Sequence, residues 1–147
     1  MRARRIGAVI GILGALLATP PASAATETTI TIDVVFGGSE TFTATGGVVC
    51  DSGTATTEGF VRGGGNQGKG VFTFHVVKTL TCDDGSGTFK LLVDAAASPT
   101  SPGTVGGFAA GGGTDDYVGL HGGGSLVGTA NEAGITDVYR GMLTIAP

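Results

Sequence analysis

Tryptophan is absent from this 147-residue chain; tyrosine, histidine and cysteine occur twice each, and charged residues make up only 14% of it. Each scarcity excludes something. Two cysteines and two scattered histidines cannot furnish a zinc ribbon, and eight basic against twelve acidic residues form no cationic patch for a nucleic-acid backbone. There is no Gly-x-Ser-x-Gly elbow, which removes support for serine-type hydrolysis. No Asn-x-Ser/Thr sequon occurs, so N-glycosylation is not expected. The length fits one domain and argues against two.

The opening residues read as an address. Arg2, Arg4 and Arg5 precede an uncharged, mostly apolar stretch from Ile6 to Ala18, and Ala22-Ser23-Ala24 supplies the small-x-small pattern of a signal-peptidase site. The apolar run is shorter than the roughly 20 residues that span a bilayer as a helix. The expectation is a Sec-type signal peptide over residues 1–24, a secreted protein, and a single domain over residues 25–147 that does not insert in a membrane. Three of the eight basic residues and none of the twelve acidic ones fall in that segment, so residues 25–147 carry a formal charge of −7. Such a surface repels phosphate backbones and anionic lipid.

What the chain has in abundance is glycine, 29 residues of it, and threonine. Glycine at this level raises the suspicion of disorder, and hydrophobic periodicity answers it. Ile30, Ile32, Val34 and Phe36 alternate with Thr29, Thr31 and Asp33, the period of a strand with one buried face. Phe42 and Ala44 alternate with threonines over Glu40–Thr45. Strands are expected over Thr54–Arg62 and Val71–Thr81, linked by the loop Gly63–Gly68, and again around Phe89, Leu91 and Val93 after the turn at Asp83–Gly87. Weaker ones follow near Gly103–Ala110, Gly124–Ala130 and Val138–Ile145. No segment of the domain has capped helical spacing. The chain is all-β, with about eight short strands. A small closed antiparallel barrel is favoured over a β-sandwich, because closure removes the edges that invite aggregation in a sequence with few charges.

Cys50 and Cys82 read as one structural disulfide, since a redox pair would ordinarily be spaced Cys-x-x-Cys. The bridge closes about 32 residues, worth roughly 3.7 kcal/mol by chain entropy. His75 falls on the face opposite Phe72, Phe74 and Val76, and His121 sits among glycines, so both read as surface residues. The acidic pairs Asp83-Asp84 and Asp115-Asp116 lack the alternation and distal glutamate of an EF-hand loop; no metal and no cofactor are expected.

Lys78 is the one chemically conspicuous residue. Strict alternation puts it in step with Phe72, Phe74, Val76 and Leu80, where its ammonium must be paired, lowered in pKa or led to a cavity lip. The preferred reading is a β-bulge near Val76-Val77 that turns it outwards. If it points inwards, it is the natural anchor for an anionic ligand. The candidate ligand-binding set is Lys78, Phe72, Phe74 and Tyr117; no catalytic residue is assigned.

The segment from Gly112 to Gly122 resembles the Gly-Gly-Thr-Gly-x-(Phe/Tyr) segment of the dirigent and allene oxide cyclase barrel superfamily. Gly112, Gly113, Thr114, Tyr117 and Gly122 match it, and Asp115 stands where the family has its third glycine. Thr79–Phe89, taken with that segment, is similar to small secreted bacterial proteins with the same expected barrel. The resemblance implies eight antiparallel strands around an apolar interior, and dimers or trimers as in plant members. The acidic and basic residues of the plant enzymes have no counterpart that the motif places here. Ile30, Ile32, Val34, Phe36, Phe42, Phe72, Phe74, Phe89, Leu91 and Val93 are the inward candidates. Eight strands just enclose side chains or one small ligand, and a packed core is the slightly preferred expectation.

Three functions remain open: a secreted, non-catalytic barrel binding a small apolar ligand or an extracellular partner; a cofactor-free cyclase or isomerase of allene oxide cyclase type; and a structural or adhesive exterior protein. A homo-oligomer is compatible with each. A cavity favours the first two, and a buried polar group at its floor separates the second from the first.

Overall fold

The structure is a computed structural model describing residues 24–63, 70–98 and 101–147. The expected signal peptide lies outside the described residues except for Ala24, as does most of the Gly63–Gly68 loop.

Eight strands follow one another around a closed antiparallel barrel: β1 (Thr26–Val35), β2 (Glu40–Thr45), β3 (Ser52–Gly63), β4 (Phe72–Cys82), β5 (Thr88–Ser98), β6 (Ser101–Gly111), β7 (Leu120–Ala130) and β8 (Gly134–Ile145). Each strand pairs with its sequence neighbours, and β8 pairs with β1 from Thr26↔Leu143 to Val35↔Gly134. One three-residue 3-10 turn, Asp115–Tyr117, lies between β6 and β7. Every strand is joined to the next by a local connection, so the barrel is built from successive antiparallel neighbours.

Alternation in the sequence becomes inside and outside of the cylinder. Ile30 and Ile32 on β1, Phe42 and Ala44 on β2, Leu80 on β4, Phe89, Leu91 and Val93 on β5 and Tyr139 and Leu143 on β8 are all buried. Phe36 is not. It is 70% exposed because β1 ends at Val35 and the chain enters the turn through Gly37, whose φ is +74°. The period of two holds only while the backbone stays extended, so Phe36 leaves the inner face with the strand.

The two ends of the barrel differ. At the end that carries Thr26 and Ile145 aromatic side chains pack the interior: Phe42 meets Phe89 edge-on at 5.9 Å between centroids, and Phe89 meets Tyr117 at 5.3 Å. The Cys50–Cys82 disulfide, with Cα atoms 6.0 Å apart, ties the β2–β3 connection to the end of β4 over this plug. Tyr117 is buried there, its hydroxyl accepting the Cys50 backbone N–H at 3.0 Å and lying 2.7 Å from Ser86 Oγ. The Gly-Gly-Thr segment shapes the approach. Gly113 has no room for a side chain, since a Cβ would fall 2.0 Å from the Tyr117 carbonyl oxygen. Asp115 takes a φ of +50°, in the left-handed region that aspartate tolerates better than most side chains.

The opposite end is open. β2 begins at Glu40, which pairs with Ala55, while β3 runs on to Gly63 against β4 alone. Past Ala55 the wall therefore has no β2 partner, and the interior beneath it meets solvent.

Candidate functional site

Lys78 points into the barrel. β4 and β5 pair without a register shift from Phe72↔Ala97 to Thr81↔Thr88, so there is no bulge at Val76-Val77. The alternation carries through, and Lys78 is buried at 5% exposure. The ammonium is compensated where it lies. Nζ donates to Glu40 Oε2 at 2.9 Å and to Thr57 Oγ1 at 2.8 Å, and the Thr57 hydroxyl donates in turn to the Glu40 carboxylate at 2.8 Å. Register explains the meeting. Thr57 stands directly opposite Lys78 across β3 and β4, and Glu40 pairs with Ala55, two residues along the same inner face of β3.

A second polar pair faces this one from β8. Asp137 is buried at 9% exposure and Tyr139 completely. The Tyr139 hydroxyl donates to Asp137 Oδ2 over 3.4 Å, a long and weak bond. Burial pushes the Asp137 carboxyl above the ordinary carboxylate range, with the nearby Lys78 charge and the Tyr139 hydrogen bond opposing it only in part. The Tyr139 hydroxyl is raised as well, by burial first and then by the Asp137 charge.

Between the polar groups and the open end lies a cavity of about 230 Å³. Val34, Phe74, Val76, Val93, Ala95, Leu126 and Ile135 form its apolar wall, while Glu40, Thr57, Lys78, Thr104, Asp137 and Tyr139 supply its polar atoms. A depression of about 290 Å³ at the mouth, lined by Phe72, Ala97, Ala130 and others, shares Phe74, Thr104 and Ile135 with it, so the two adjoin. Gly128 makes room for two of these polar side chains: a Cβ there would fall 2.1 Å from Thr104 Oγ1 and 2.4 Å from Asp137 Oδ1, so only glycine lets both oxygens sit where they do.

The expected ligand-binding residues are thus partly brought together. Lys78 and Phe74 line the cavity, and Phe72 stands at its mouth, 39% exposed. Tyr117 plugs the other end, packed on Phe89 beside the disulfide. Gly112, Gly113 and Thr114 lie at that end too, Thr114 accepting the Thr88 N–H at 3.0 Å, while Gly122 on β7 pairs with Leu143. The interior is neither wholly packed nor wholly open: aromatic side chains pack it near the disulfide, and the cavity lies towards the other end. His75 is on the outer face, exposed and bonded through Nδ1 to Asp94 directly across the strand pair.

Sequence reasoning passed over Glu40, Asp137 and Thr104. A signal for two of them was present. Glu40 is in phase with Phe42 and Ala44, and Asp137 is in phase with Tyr139 and Leu143, just as Lys78 is with Leu80. Among the described residues no cluster of histidine, cysteine and carboxylate side chains has metal-binding geometry.

Comparison with protein-family models, with curated proteins and with solved structures finds no match.

Proposed function

We propose that this protein is an exported barrel that holds one small, mainly apolar molecule in its lumen. The observation that carries this reading is the 230 Å³ cavity, apolar along its walls and polar at one side, adjoined at Phe74 by the depression that Phe72 lines. A dry apolar cavity of about 150 Å³ takes a benzene-sized molecule, so this one suits a single ring or short chain with a polar end. Binding pockets of this kind are apolar with a few placed polar groups. The twelve acidic residues suit an exterior protein with no nucleic-acid partner. The barrel and the Gly112–Gly122 segment support kinship with the dirigent and allene oxide cyclase superfamily.

A second reading is supported by one particular feature, the Asp137 carboxyl raised by burial beside Tyr139 in an apolar chamber. A carboxyl whose pKa is raised in that way is suited to general acid–base assistance. It could assist a cofactor-free cyclisation or isomerisation in which the barrel restricts the substrate's shape.

Native mass spectrometry of the protein collected after export tests the first reading. A mature mass lacking residues 1–24 together with a retained small molecule, released on unfolding, is the expected result. An unprocessed chain, or a ligand-free mass that no small apolar compound increases, would overturn it.

A further inference from the structure

The charges inside the lumen do not balance, and the imbalance selects a ligand. Lys78 was the natural anchor for an anion, yet Glu40 already meets it at 2.9 Å and Thr57 takes a second of its three protons. An incoming carboxylate would find that cation occupied and two carboxylates nearby. Asp137 has no such partner. Among the described residues no cation lies within ion-pair distance of it, and its single side-chain hydrogen bond is the 3.4 Å contact from Tyr139 to Oδ2. Oδ1 accepts no hydrogen bond from any described residue, and it is not sealed off, since no fully buried side-chain oxygen lacks a partner. It lies beside Thr104 Oγ1, the two oxygens packing over Gly128 where a Cβ would otherwise stand, and both residues line the cavity. The cavity thus contains one cation, two carboxylates and an unused acceptor pair.

We infer that the polar end of the ligand is a protonated amine, seated on Asp137 Oδ1 and Thr104 Oγ1, with its apolar body against Phe74, Val93 and Leu126. This inference rests on the lumen's being the binding site. A carboxylate taken out of water is strongly destabilising unless paired, and a ligand ammonium supplies both the charge and the hydrogen bond that the fold leaves out. The −7 formal charge of residues 25–147 favours the approach of a cation over that of an anion. Glu40 leaves the site no net attraction for a negative head group.

The test uses three probes of one size on the intact domain: benzylamine, benzyl alcohol and benzoate, with affinities measured by NMR titration of the wild type and of Asp137→Asn. Benzylamine should bind about tenfold more tightly than the alcohol, and benzoate more weakly than either, because the ammonium brings a full opposite charge to the carboxylate and the alcohol only a hydrogen bond. In Asp137→Asn the amine should lose about tenfold, while the alcohol, whose hydroxyl the Asn amide oxygen can still accept, changes by less than about twofold and so reports that the lumen is still formed. Benzyl alcohol binding as well as the amine, or benzoate binding better, would overturn the inference while leaving the lumen as a binding site. Failure of all three probes to shift resonances of Phe74, Val93 or Leu126 would overturn both.

Discussion

Thr57 and Lys78 stand opposite one another on β3 and β4, and the 2.8 Å bond between them makes the threonine hydroxyl a link from the ammonium to Glu40. Three strands therefore meet through one charge. An ion pair in this position fixes side-chain placement as much as it adds stability. Taking two ions out of water costs several kcal/mol each, which their attraction must offset. The network fixes the boundary between the packed half of the barrel and the open half, because Leu80 below Lys78 is fully buried whereas Val76 above it lines the cavity.

The first prediction concerns that pair. Lys78→Met should destabilise the domain by about 3 kcal/mol, because it leaves the Glu40 carboxylate beside an apolar chamber with only Thr57. Adding Glu40→Leu should recover most of the loss. Urea unfolding of the two single variants and the double variant measures the coupling, and additive losses would contradict it.

Asp137 makes the stability fall as pH rises. Its carboxyl is raised in the folded state, so between the ordinary carboxylate range, about pH 4, and the raised value the folded protein binds more protons than the unfolded chain. Stability from this group is full below the unfolded value and declines as pH passes up through the folded one. Asp137→Asn should remove that decline and stabilise the ligand-free domain at neutral pH by on the order of 1 kcal/mol. Asp84 acts in the opposite sense. Its hydrogen bonds from Ser86 lower it, so its contribution is present at neutral pH and is lost as pH falls through its lowered value. Thermal unfolding of wild type and Asp137→Asn between roughly pH 4 and pH 8 separates the two.

The disulfide bears on stability without touching the cavity. Cys50→Ala with Cys82→Ala should lower stability by about 2–4 kcal/mol through the loop of 32 residues that the bridge closes. Small-molecule binding in the lumen should persist at temperatures where the variant remains folded, since Cys50 and Cys82 lie with Tyr117 at the plugged end. Calorimetry gives the first quantity and probe titration the second.

Phe36 and Phe89 should differ sharply on truncation. Phe36→Ser should shift stability by no more than about 0.5 kcal/mol, as expected for an exposed turn residue. Phe89→Ala should cost about 3–5 kcal/mol, because the ring is fully buried between Phe42 and Tyr117. Equal effects would mean that the turn through Gly37 is packed in solution.

That contrast also marks how far the sequence could be read. A period of two needs only a pleated backbone, so Ile30, Ile32, Phe42, Leu91 and Val93 announced their burial and, together, the all-β barrel. The rule has no knowledge of where a strand stops, and Phe36 was carried one residue past the end of β1. At Lys78 the opposite error occurred. Alternation placed the ammonium inside correctly, but the cost of burying a charge made a bulge the easier expectation, because the partner that removes the cost, Glu40, is 38 residues away in sequence. The cavity was legible least of all. It depends on which side chains face a small inward residue such as Ala95 across the barrel, which sequence spacing does not reveal.

The most direct measurement is a crystal structure of the protein purified from its producing cells or their medium without a denaturing step. It should show the chamber between Phe74 and Tyr139 open, with a small molecule whose polar end reaches Asp137 and Thr104. A chamber closed by inward rotation of Phe74 and Leu126, with the two oxygens bonded to each other's neighbours and no molecule between them, would contradict the account.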